Sequence, residues 1–255
     1  MPVLNFLGII PARYASSRFP GKPLVVIEGK TMIHRVYERC RQVMEKVVVA
    51  TDDQRIYQEV VSFGGEAVMT SSEHPSGTDR CAEALQIIEH INKGKFNVVV
   101  NIQGDEPFVS HEHIHLLLDS FTDENTQIAT LLYPLHDLEA LKNPNRVKVV
   151  IDKNGYALYF SRSVIPFVRN VEKEKWHTAI RYFQHVGMYA YRSEILQEIV
   201  MLEQSSLEKA ESLEQLRWLE NGYKIRTCIT TQETFCIDTP EDLEKLLKEG
   251  FKTLE

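Results

Sequence analysis

Short β-branched runs alternate with amphipathic segments through the first half of the chain, and this alternation limits the folds it can adopt. Apolar runs such as VLNFLGII, KVVVAT and FNVVVNIQ are separated by helix-like segments. Parallel strands need crossover helices of this kind, whereas hairpins need only a short turn. We therefore predict an α/β fold with a doubly wound, mainly parallel sheet. Ligands bind such sheets at the carboxyl ends of the strands, so the loops that follow strands are the first candidates for a site.

From about residue 126 the pattern changes to consecutive strand-like pieces, QIATLLYPL, RVKVVID, YALYFSR and HVGMYAYR. We interpret residues 126–192 as a mixed-sheet insertion that carries a dimer surface, within one domain that spans residues 1–255. Two helices, the strand-like pieces KIRTCIT and TFCI, and a closing helix follow. Thr239 is the predicted N-cap of that helix, with Pro240 at its first position and Gly250 at its end.

Composition and charge exclude several classes of protein. The 255-residue chain has a net charge of -7 and no basic tract, which argues against nucleic acid as a partner. Its apolar runs are shorter than the roughly 18 to 20 residues of a membrane helix, and MPVLNF does not resemble a signal peptide, so we expect a cytoplasmic protein. The four cysteines form no CxxC pair and are predicted to be small core residues: Cys40, Cys81, Cys228 and Cys236.

A cationic loop, PARYASSRFPGKP at residues 11–23, follows the first strand. It contains Arg13, Arg18 and Lys22, and no acidic residue precedes Glu28. Backbone N–H groups and cations in a Pro/Gly-rich loop are typical of phosphate binding, although the arginines could instead pair with acids elsewhere. The loop matches neither GxxxxGK[ST] nor GxGxxG.

Carboxylates follow two other strands. Asp105 and Glu106 lie in NIQGDEP, and Asp238 lies in CIDTPED. Two strand-end carboxylates beside a cationic loop suit a nucleoside triphosphate with Mg²⁺, because this ion uses one or two carboxylates plus phosphate oxygens. The turn HPSGTDR at residues 74–80 places Thr78 as the predicted N-cap of the next helix.

A rival reading comes from HEHIH at residues 111–115, which matches the zinc-peptidase pattern HExxH. Ser110 is the predicted N-cap here, so His111 falls in the first turn of a helix and no third-ligand signature follows. We therefore interpret this segment as a solvated helix start.

Several blocks together resemble the 3-deoxy-manno-octulosonate (Kdo) cytidylyltransferase family, the CMP-Kdo synthetases. The blocks are IIPARYASSRFPGKPL, VVVATDD, HPSGTDR, VNIQGDEP, NPNRVKVVIDKNGYALYFSRSVIP, HVGMYAYR, LEQLRWL and IDTPEDLE, in order over nearly the whole chain. The resemblance implies a cytosolic, magnesium-dependent, dimeric nucleotidyltransferase that makes CMP-Kdo and pyrophosphate from CTP and Kdo for lipopolysaccharide biosynthesis. The CMP-sialate synthetases are the closest alternative, and a sugar-nucleotide-sensing regulator is the non-enzymatic one.

The resemblance also implies site residues. For CTP they are Ala12, Arg13, Ser17, Arg18, Lys22, Ser76 and Arg80. The implied magnesium ligands are Asp105 and Asp238, and these two act in catalysis together with Lys22 and Arg13. The implied sugar-acid residues are Gln103, Arg162, His185, Tyr189, Glu214 and Gln215. The family commonly has Glu where this chain has Asp79. In-line attack of the sugar anomeric hydroxyl on the α-phosphorus is then expected, with charge stabilisation by the cations and no named general base.

Overall fold

The structure, a computed structural model, describes residues 4–15, 19–234 and 236–249. The chain divides into two compact units. The first comprises the chain up to His115 together with the chain from Thr234 onwards, and the second is Leu116–Glu233. The mixed-sheet region predicted at 126–192 lies within the second unit.

The first unit alternates strands and helices as predicted. Its strands are β1 (Phe6–Ala12), β2 (Val26–Ile27), β3 (Lys30–Thr31), β4 (Val47–Thr51), β5 (Ala67–Met69) and β6 (Val98–Asn101). Its helices are α1 (Met32–Arg41), α2 (Gln54–Ser62) and α3 (Gly77–Asn92), while α4 (His111–Ser120) crosses the sequence boundary to the second unit.

Four of these strands form a parallel sheet in the order β6-β1-β4-β5. Every residue of β4 and of β6 is buried, which explains why both read as continuous apolar runs instead of alternating patterns. The α1, α2 and α3 helices pack on these strands. The predicted doubly wound, mainly parallel sheet is confirmed, and β2 and β3 form a separate antiparallel pair.

The second unit is a mixed sheet with short helices. Its elements are β7 (Ile128–Leu135), α5 (Leu138–Lys142), β8 (Lys148–Ile151), β9 (Ala157–Ser161), α6 (Trp176–Ala179), β10 (Tyr182–Arg192), α7 (Ser193–Ile199), α8 (Ser206–Glu211), α9 (Gln215–Glu220) and β11 (Ile225–Ile229). The β10 strand is antiparallel to β7 and to β8, β9 is antiparallel to β8, and β11 is parallel to β7. The predicted succession of strands after residue 126 is confirmed.

The last described helix is α10 (Pro240–Glu249) in the first unit. Its predicted cap is confirmed, because Thr239 Oγ1 accepts the N–H of Asp242 at 3.2 Å. Gly250 lies outside the described residues. The prediction of a strand at TFCI is wrong for the described residues, because Cys236 and Ile237 lie outside any strand. Ile237 is buried with Ile27, Met32 and Leu246.

The prediction that the four cysteines are core residues is correct for only some of them. Cys40 and Cys81 are buried core residues, Cys228 is half-buried and Cys236 is exposed. The expectation of a core position is therefore wrong for Cys236, which follows the last strand at the surface. Among the described helices, none has the length and apolarity needed to cross a lipid bilayer.

The buried centre of β1 should dominate the stability of the first unit. Ile9 is fully buried and pairs in register with β4 and β6, whereas Ile91 on α3 is 62% exposed. Ile9→Ala should lower the free energy of unfolding by about 2 to 5 kcal/mol, because it removes buried methyl groups and leaves a cavity. Ile91→Ala should change it by less than about 0.5 kcal/mol. Urea unfolding of both variants measures the difference, and equal losses would contradict the assignment of β1 to the core.

Candidate active site

A cavity of about 250 Å³ lies at the carboxyl ends of β1 and β6 in the first unit. Five chain segments line it, which are residues 11–13, 22–23, 74–80 (in part), 103–105 and Asp238. Parallel strands direct their carboxyl ends to one edge of the sheet, so the loops after β1 and β6 meet there. The prediction that loops after strands form the site agrees with this cavity.

Lys22 is bound to two carboxylates in the cavity wall. Its Nζ donates to Asp105 Oδ2 at 2.7 Å and to Asp238 Oδ1 at 3.2 Å. The three side chains are 13%, 25% and 37% exposed, so the ion pairs are partly shielded from water. Residues separated by more than 200 positions in sequence are thus held around one ammonium group.

Local backbone geometry places Lys22 at this point. Gly21 has a φ of 74°, and its N–H donates to the carbonyl oxygen of Tyr14 at 2.9 Å. A Cβ atom at Gly21 would lie 3.1 Å from the Tyr14 ring. Both the left-handed backbone and the close ring contact favour glycine here, and a 3₁₀ turn at Lys22–Leu24 follows directly.

The two carboxylates are held together by the backbone of their segments. The N–H of Ile237 donates to the carbonyl oxygen of Asp105 at 3.0 Å, which fixes Asp238 beside it. Gly104 packs so closely on β1 that a Cβ atom would lie 3.1 Å from the carbonyl oxygen of Pro11. Asp105 therefore depends on a glycine before it and on the chain that leads into α10.

Glu106, next to Asp105, points away from water. It is 3% exposed, Cys236 Sγ donates to its Oε1 at 3.4 Å, and its Oε2 has no partner among the described residues. Burial, and then the neighbouring charge of Asp105, raise the pKa of Glu106 to about 7. Asp105 lines the cavity, whereas Glu106 is buried next to it in sequence.

Of the other residues predicted to bind the nucleotide in this loop, two line the cavity and two lie outside the described residues. Arg13 lines the cavity, is exposed, and has no ion pair with any residue in the described part of the chain. Ala12 is buried at the end of β1 and contributes to the lining. Ser17 and Arg18 lie outside the described residues. The alternative that the loop arginines pair with acids elsewhere finds no support at Arg13.

The HPSGTDR turn forms one wall of the cavity, but its cap was assigned to the wrong residue. Ser76, not Thr78, is the N-cap of α3, since its Oγ accepts the N–H groups of Thr78 and Asp79. Arg80 is 4% exposed, and it donates to Thr70 Oγ1 at 2.6 Å and to Asp52 Oδ2 at 3.0 Å. Both Ser76 and Arg80 line the cavity, as the resemblance implies, while also fixing the turn.

Asp105 and Asp238 have the chemistry that Mg²⁺ requires. Two carboxylates approach one positive group from different chain segments, and hard oxygen ligands are what this ion prefers. Across residues 4–15, 19–234 and 236–249 no group of three or more His, Cys, Asp or Glu side chains could hold a metal ion. The pair therefore fits an ion that takes its remaining ligands from phosphate and water, and it does not fit an all-protein cage.

HEHIH begins a helix, as predicted. Ser110 Oγ accepts the N–H of Glu112 at 3.2 Å, and His111 is the first residue of α4. Burial, followed by the charges of Arg39 and His115, lowers the pKa of His111. The description of the segment as solvated is correct only for His115, because His113 is 1% exposed and His111 half-buried.

In the second unit, His185 and Tyr189 lie on β10 in an aromatic cluster. His185 Nε2 is 3.0 Å from Thr130 Oγ1, and the rings of His185 and Tyr189 are 5.2 Å apart. The Tyr189 hydroxyl is buried with no partner among the described residues, and so is Nε1 of Trp218, which packs edge-on against Tyr189. Unpartnered buried polar groups mark a place where a polar ligand or water completes the hydrogen bonds.

Arg162, also in this unit, is engaged with the backbone. Its guanidinium donates to the carbonyl oxygens of Glu211, Pro144 and Ser212 at 2.7, 3.2 and 3.3 Å. Five N–H groups are available to an arginine side chain, so this arrangement leaves two of them for a ligand.

Glu214 Oε1 accepts from Arg217, and Gln215 is 5% exposed at the start of α9. Gln103 belongs to the first unit and lines the cavity there.

Two residues of interest have no counterpart among the sequence-predicted site residues. His74 lines the cavity directly before Pro75 and Ser76. Its position at the start of the HPSGTDR turn could have identified it as a site residue from the sequence. Lys148 in β8 is fully buried, and its Nζ donates to the carbonyl oxygen of Asn143 at 2.9 Å. Burial, and then the charge of Arg162, lower the pKa of Lys148. The sequence around Lys148 does not indicate that this lysine is buried, because a lysine between apolar strand residues usually faces water.

Comparison with known proteins decides the family. The sequence profile described as "Cytidylyltransferase" matches residues 7–226. The chain is 57% identical over 249 residues to a 3-deoxy-manno-octulosonate cytidylyltransferase of Parabacteroides distasonis, covering 96% of this chain and 98% of that protein. The chain belongs to the 3-deoxy-manno-octulosonate cytidylyltransferase family. A member from Bacteroides thetaiotaomicron is 56% identical, covering 94% of this chain and 96% of that protein.

Solved structures agree with this membership. The structure of a CMP:2-keto-3-deoxy-manno-octonic acid synthetase complexed with CTP matches with a TM-score of 0.85 and 44% identity, covering 94% of this chain and 96% of that one. A glucose-1-phosphate thymidylyltransferase of Bacillus anthracis has a TM-score of 0.62 at 16% identity, over 94% of this chain and 93% of that one, and shows the fold alone. The family resemblance inferred from the sequence blocks is confirmed.

His185 should make the stability of the protein depend on pH. Burial lowers its pKa to about 3, whereas an unfolded histidine titrates near 6.5. Below about pH 6.5 the unfolded chain binds a proton that the folded chain does not, so the free energy of unfolding should fall as the pH falls from 6.5 towards 3. The expected loss between pH 7 and pH 5 is about 2 kcal/mol.

Urea unfolding at the two pH values measures this effect. In His185→Gln the contribution is absent, so the variant should lose about 2 kcal/mol less than the wild type over the same interval. His115→Gln, at an exposed position, serves as the control and should follow the wild type. Identical pH dependence in wild type and His185→Gln would contradict the buried, neutral state of this ring.

Proposed function

We propose that the chain transfers the cytidylyl group of CTP to Kdo, giving CMP-Kdo and pyrophosphate. The observation that carries the proposal is the cavity at the ends of β1 and β6, which Arg13 lines and where Lys22 binds Asp105 and Asp238. The relatives at 56–57% identity are named for this activity, and a related protein was solved with CTP. The product is proposed to serve lipopolysaccharide biosynthesis in the cytoplasm.

The triphosphate is proposed to bind to the cationic loop. Arg13 has no ion pair with the described residues, and Lys22 is a compact charge that can exchange its carboxylate acceptors for phosphate oxygens. Ala12, Ser17, Arg18, Ser76 and Arg80 complete the proposed nucleotide site. Negative charge grows on the departing pyrophosphate as the bond from the α-phosphorus to its bridging oxygen breaks, so fixed cations next to it lower the barrier.

Asp105 and Asp238 are proposed to hold Mg²⁺. A Mg²⁺ ion held by these two carboxylates would supply positive charge next to the phosphate oxygens. The two carboxylates also keep Lys22 in the cavity through direct ion pairs. The chain's own contribution at this point is a prearranged set of two acids and two cations.

The residues proposed for recognition of the sugar acid are, in the first unit, Gln103 and, in the second unit, Arg162, His185, Tyr189, Glu214 and Gln215. The two remaining N–H groups of Arg162 suit a carboxylate, and the Tyr189 hydroxyl, which has no hydrogen-bond partner among the described residues, suits a sugar hydroxyl. His185 is neutral because of its burial, so it acts by hydrogen bonding and orients the sugar. The anomeric hydroxyl oxygen forms the new bond to the α-phosphorus, and its proton passes to solvent.

A homodimer is also proposed, with residues 126–192 contributing the contact. Support comes from large hydrophobic side chains that this region exposes, namely Leu158 at 61%, Phe167 at 70% and Ile180 at 37%. Exposed apolar side chains of this size favour burial against another chain.

Pyrophosphate release identifies the substrates. Each of CTP, UTP, ATP and GTP is combined with Kdo or with N-acetylneuraminate in the presence of Mg²⁺, and pyrophosphate is measured through a coupled pyrophosphatase. We expect CTP with Kdo to exceed every other combination by at least about a hundredfold, because both sites recognise their ligands by hydrogen bonds. Faster release with N-acetylneuraminate would favour the CMP-sialate alternative, and no release with any pair would reject the enzymatic proposal.

Removing one carboxylate tests the metal. Asp105→Asn keeps the shape of the side chain but removes its charge, so turnover should fall by about 10² to 10³. EDTA should stop the wild type, and Mg²⁺ should restore it. His115→Ala is the control, since this exposed residue lies outside the proposed site and should keep full activity.

The opposite pattern would support the zinc reading of HEHIH. An active Asp105→Asn, an inactive His115→Ala and restoration by Zn²⁺ alone would place the metal on α4 and remove Asp105 and Asp238 from the proposed site.

A further inference from the structure

His74 lies in the wall of the nucleotide cavity and has no role in the reaction described above. Its Nε2 is 2.5 Å from Glu83 Oε2, and the two side chains are 19% and 34% exposed. The same carboxylate oxygen accepts the backbone N–H of Ser71 at 2.8 Å. The imidazole is therefore held in one orientation between β5 and the second turn of α3.

Glu83 determines which nitrogen of His74 carries the proton. Burial opposes the ionisation of Glu83, but the hydrogen bonds from His74 and then from the Ser71 N–H outweigh it and lower the pKa of Glu83. An ionised carboxylate is only an acceptor, so Nε2 must donate to it. In the neutral ring this leaves Nδ1 with a lone pair, and Nδ1 has no hydrogen-bond partner in the described part of the chain.

Most other polar side chains of the cavity are less suited than Nδ1 of His74 to accept a hydrogen bond from a ligand. Arg13, Lys22 and Arg80 are donors only. Asp105 and Asp238 are bound to Lys22, and Ser76 Oγ accepts two backbone N–H groups and donates to Asp79. Two neutral acceptors line the cavity besides Ser76, namely His74 Nδ1 and the amide oxygen of Gln103, and Gln103 is already proposed to contact the sugar acid.

Cytosine and uracil differ at the position where such an acceptor matters. Cytosine carries a 4-amino group, which donates, whereas the 4-oxygen of uracil accepts. A fixed acceptor therefore binds one pyrimidine and repels the other. Pro11, Pro23 and Pro75 also line the cavity and offer apolar surfaces without side-chain donors, which suit the faces of a planar base.

We propose that His74 selects cytosine, with Nδ1 accepting a hydrogen bond from the 4-amino group while Glu83 fixes the tautomer through Nε2. The inference rests on the proposed function, because it assumes that the nucleotide binds in this cavity. His74 contacts the base and not the reacting atoms, so it determines specificity.

Matched substitutions at one position separate recognition from structure. His74→Leu removes the acceptor and keeps an apolar side chain, whereas His74→Asn keeps an oxygen acceptor near the position of Nδ1. Dissociation constants for CTP and UTP, measured by calorimetry with Mg²⁺, give the preference for CTP in each protein. His115→Gln is the control, and thermal unfolding shows whether each variant is folded.

We expect His74→Leu to reduce the preference for CTP over UTP by about 10- to 100-fold, since one hydrogen bond and one repulsion are lost. His74→Asn should retain most of the preference. Glu83→Gln, which no longer imposes one tautomer, should lie between them, and it remains informative if His74→Leu does not fold.

Three outcomes would overturn the inference. The preference of His74→Leu could stay within about twofold of wild type, both nucleotides could weaken equally, or Gln103→Leu could remove the preference while His74→Leu keeps it. Failure of the proposed function is a separate result, because it would appear as absent pyrophosphate release in the wild type whichever nucleotide binds.

Discussion

The ion pairs of Lys22 with Asp105 and Asp238 connect the three segments on which the first unit's site depends. Lys22 comes from the loop after β1, Asp105 from the chain after β6, and Asp238 from the chain that returns before α10. The backbone bond from Ile237 to Asp105 and the close approach of Gly104 to β1 hold the two acids in place. Charges of opposite sign thus meet at one edge of the sheet, where we propose that phosphate and a divalent ion bind.

A second kind of interaction organises the second unit. Here the polar groups are buried and neutral or bound to the backbone. His185 lies beside Thr130, the Tyr189 hydroxyl has no partner in the part of the chain that the structure describes, and Arg162 donates to three carbonyl oxygens. Under the proposed function, such groups would recognise hydroxyls and a carboxylate by geometry more than by net charge. The first unit presents charged side chains and the second presents neutral or backbone-bound ones. This difference agrees with the proposal that the first binds a triphosphate and the second a sugar acid.

Much of the fold and of the candidate site could be predicted from the sequence, because hydrophobic periodicity and strand ends are recognised from residues close together in the chain. The parallel sheet, the strands after residue 126, the cap at Thr239 and the positions of Lys22, Asp105 and Asp238 were all predicted, and the sequence blocks identified the family. Ser76 was missed as a cap because Ser76 and Thr78 are both good caps in the same turn, and only the backbone decides which one accepts the N–H groups. Cys236 was misplaced because a short apolar stretch does not reveal whether it enters a sheet.

The sequence by itself determined the α/β class, the cationic loop and the strand-end acids, since each follows from residues close together in the chain. Tertiary structure alone decided the partners of those residues. It brought Lys22 to two carboxylates from distant segments, buried Lys148 and Glu106, and turned Nε2 of His74 towards Glu83. Burial and pairing of charges depend on which segments meet in space, and that is set by the packing of the whole sheet and not by local pattern.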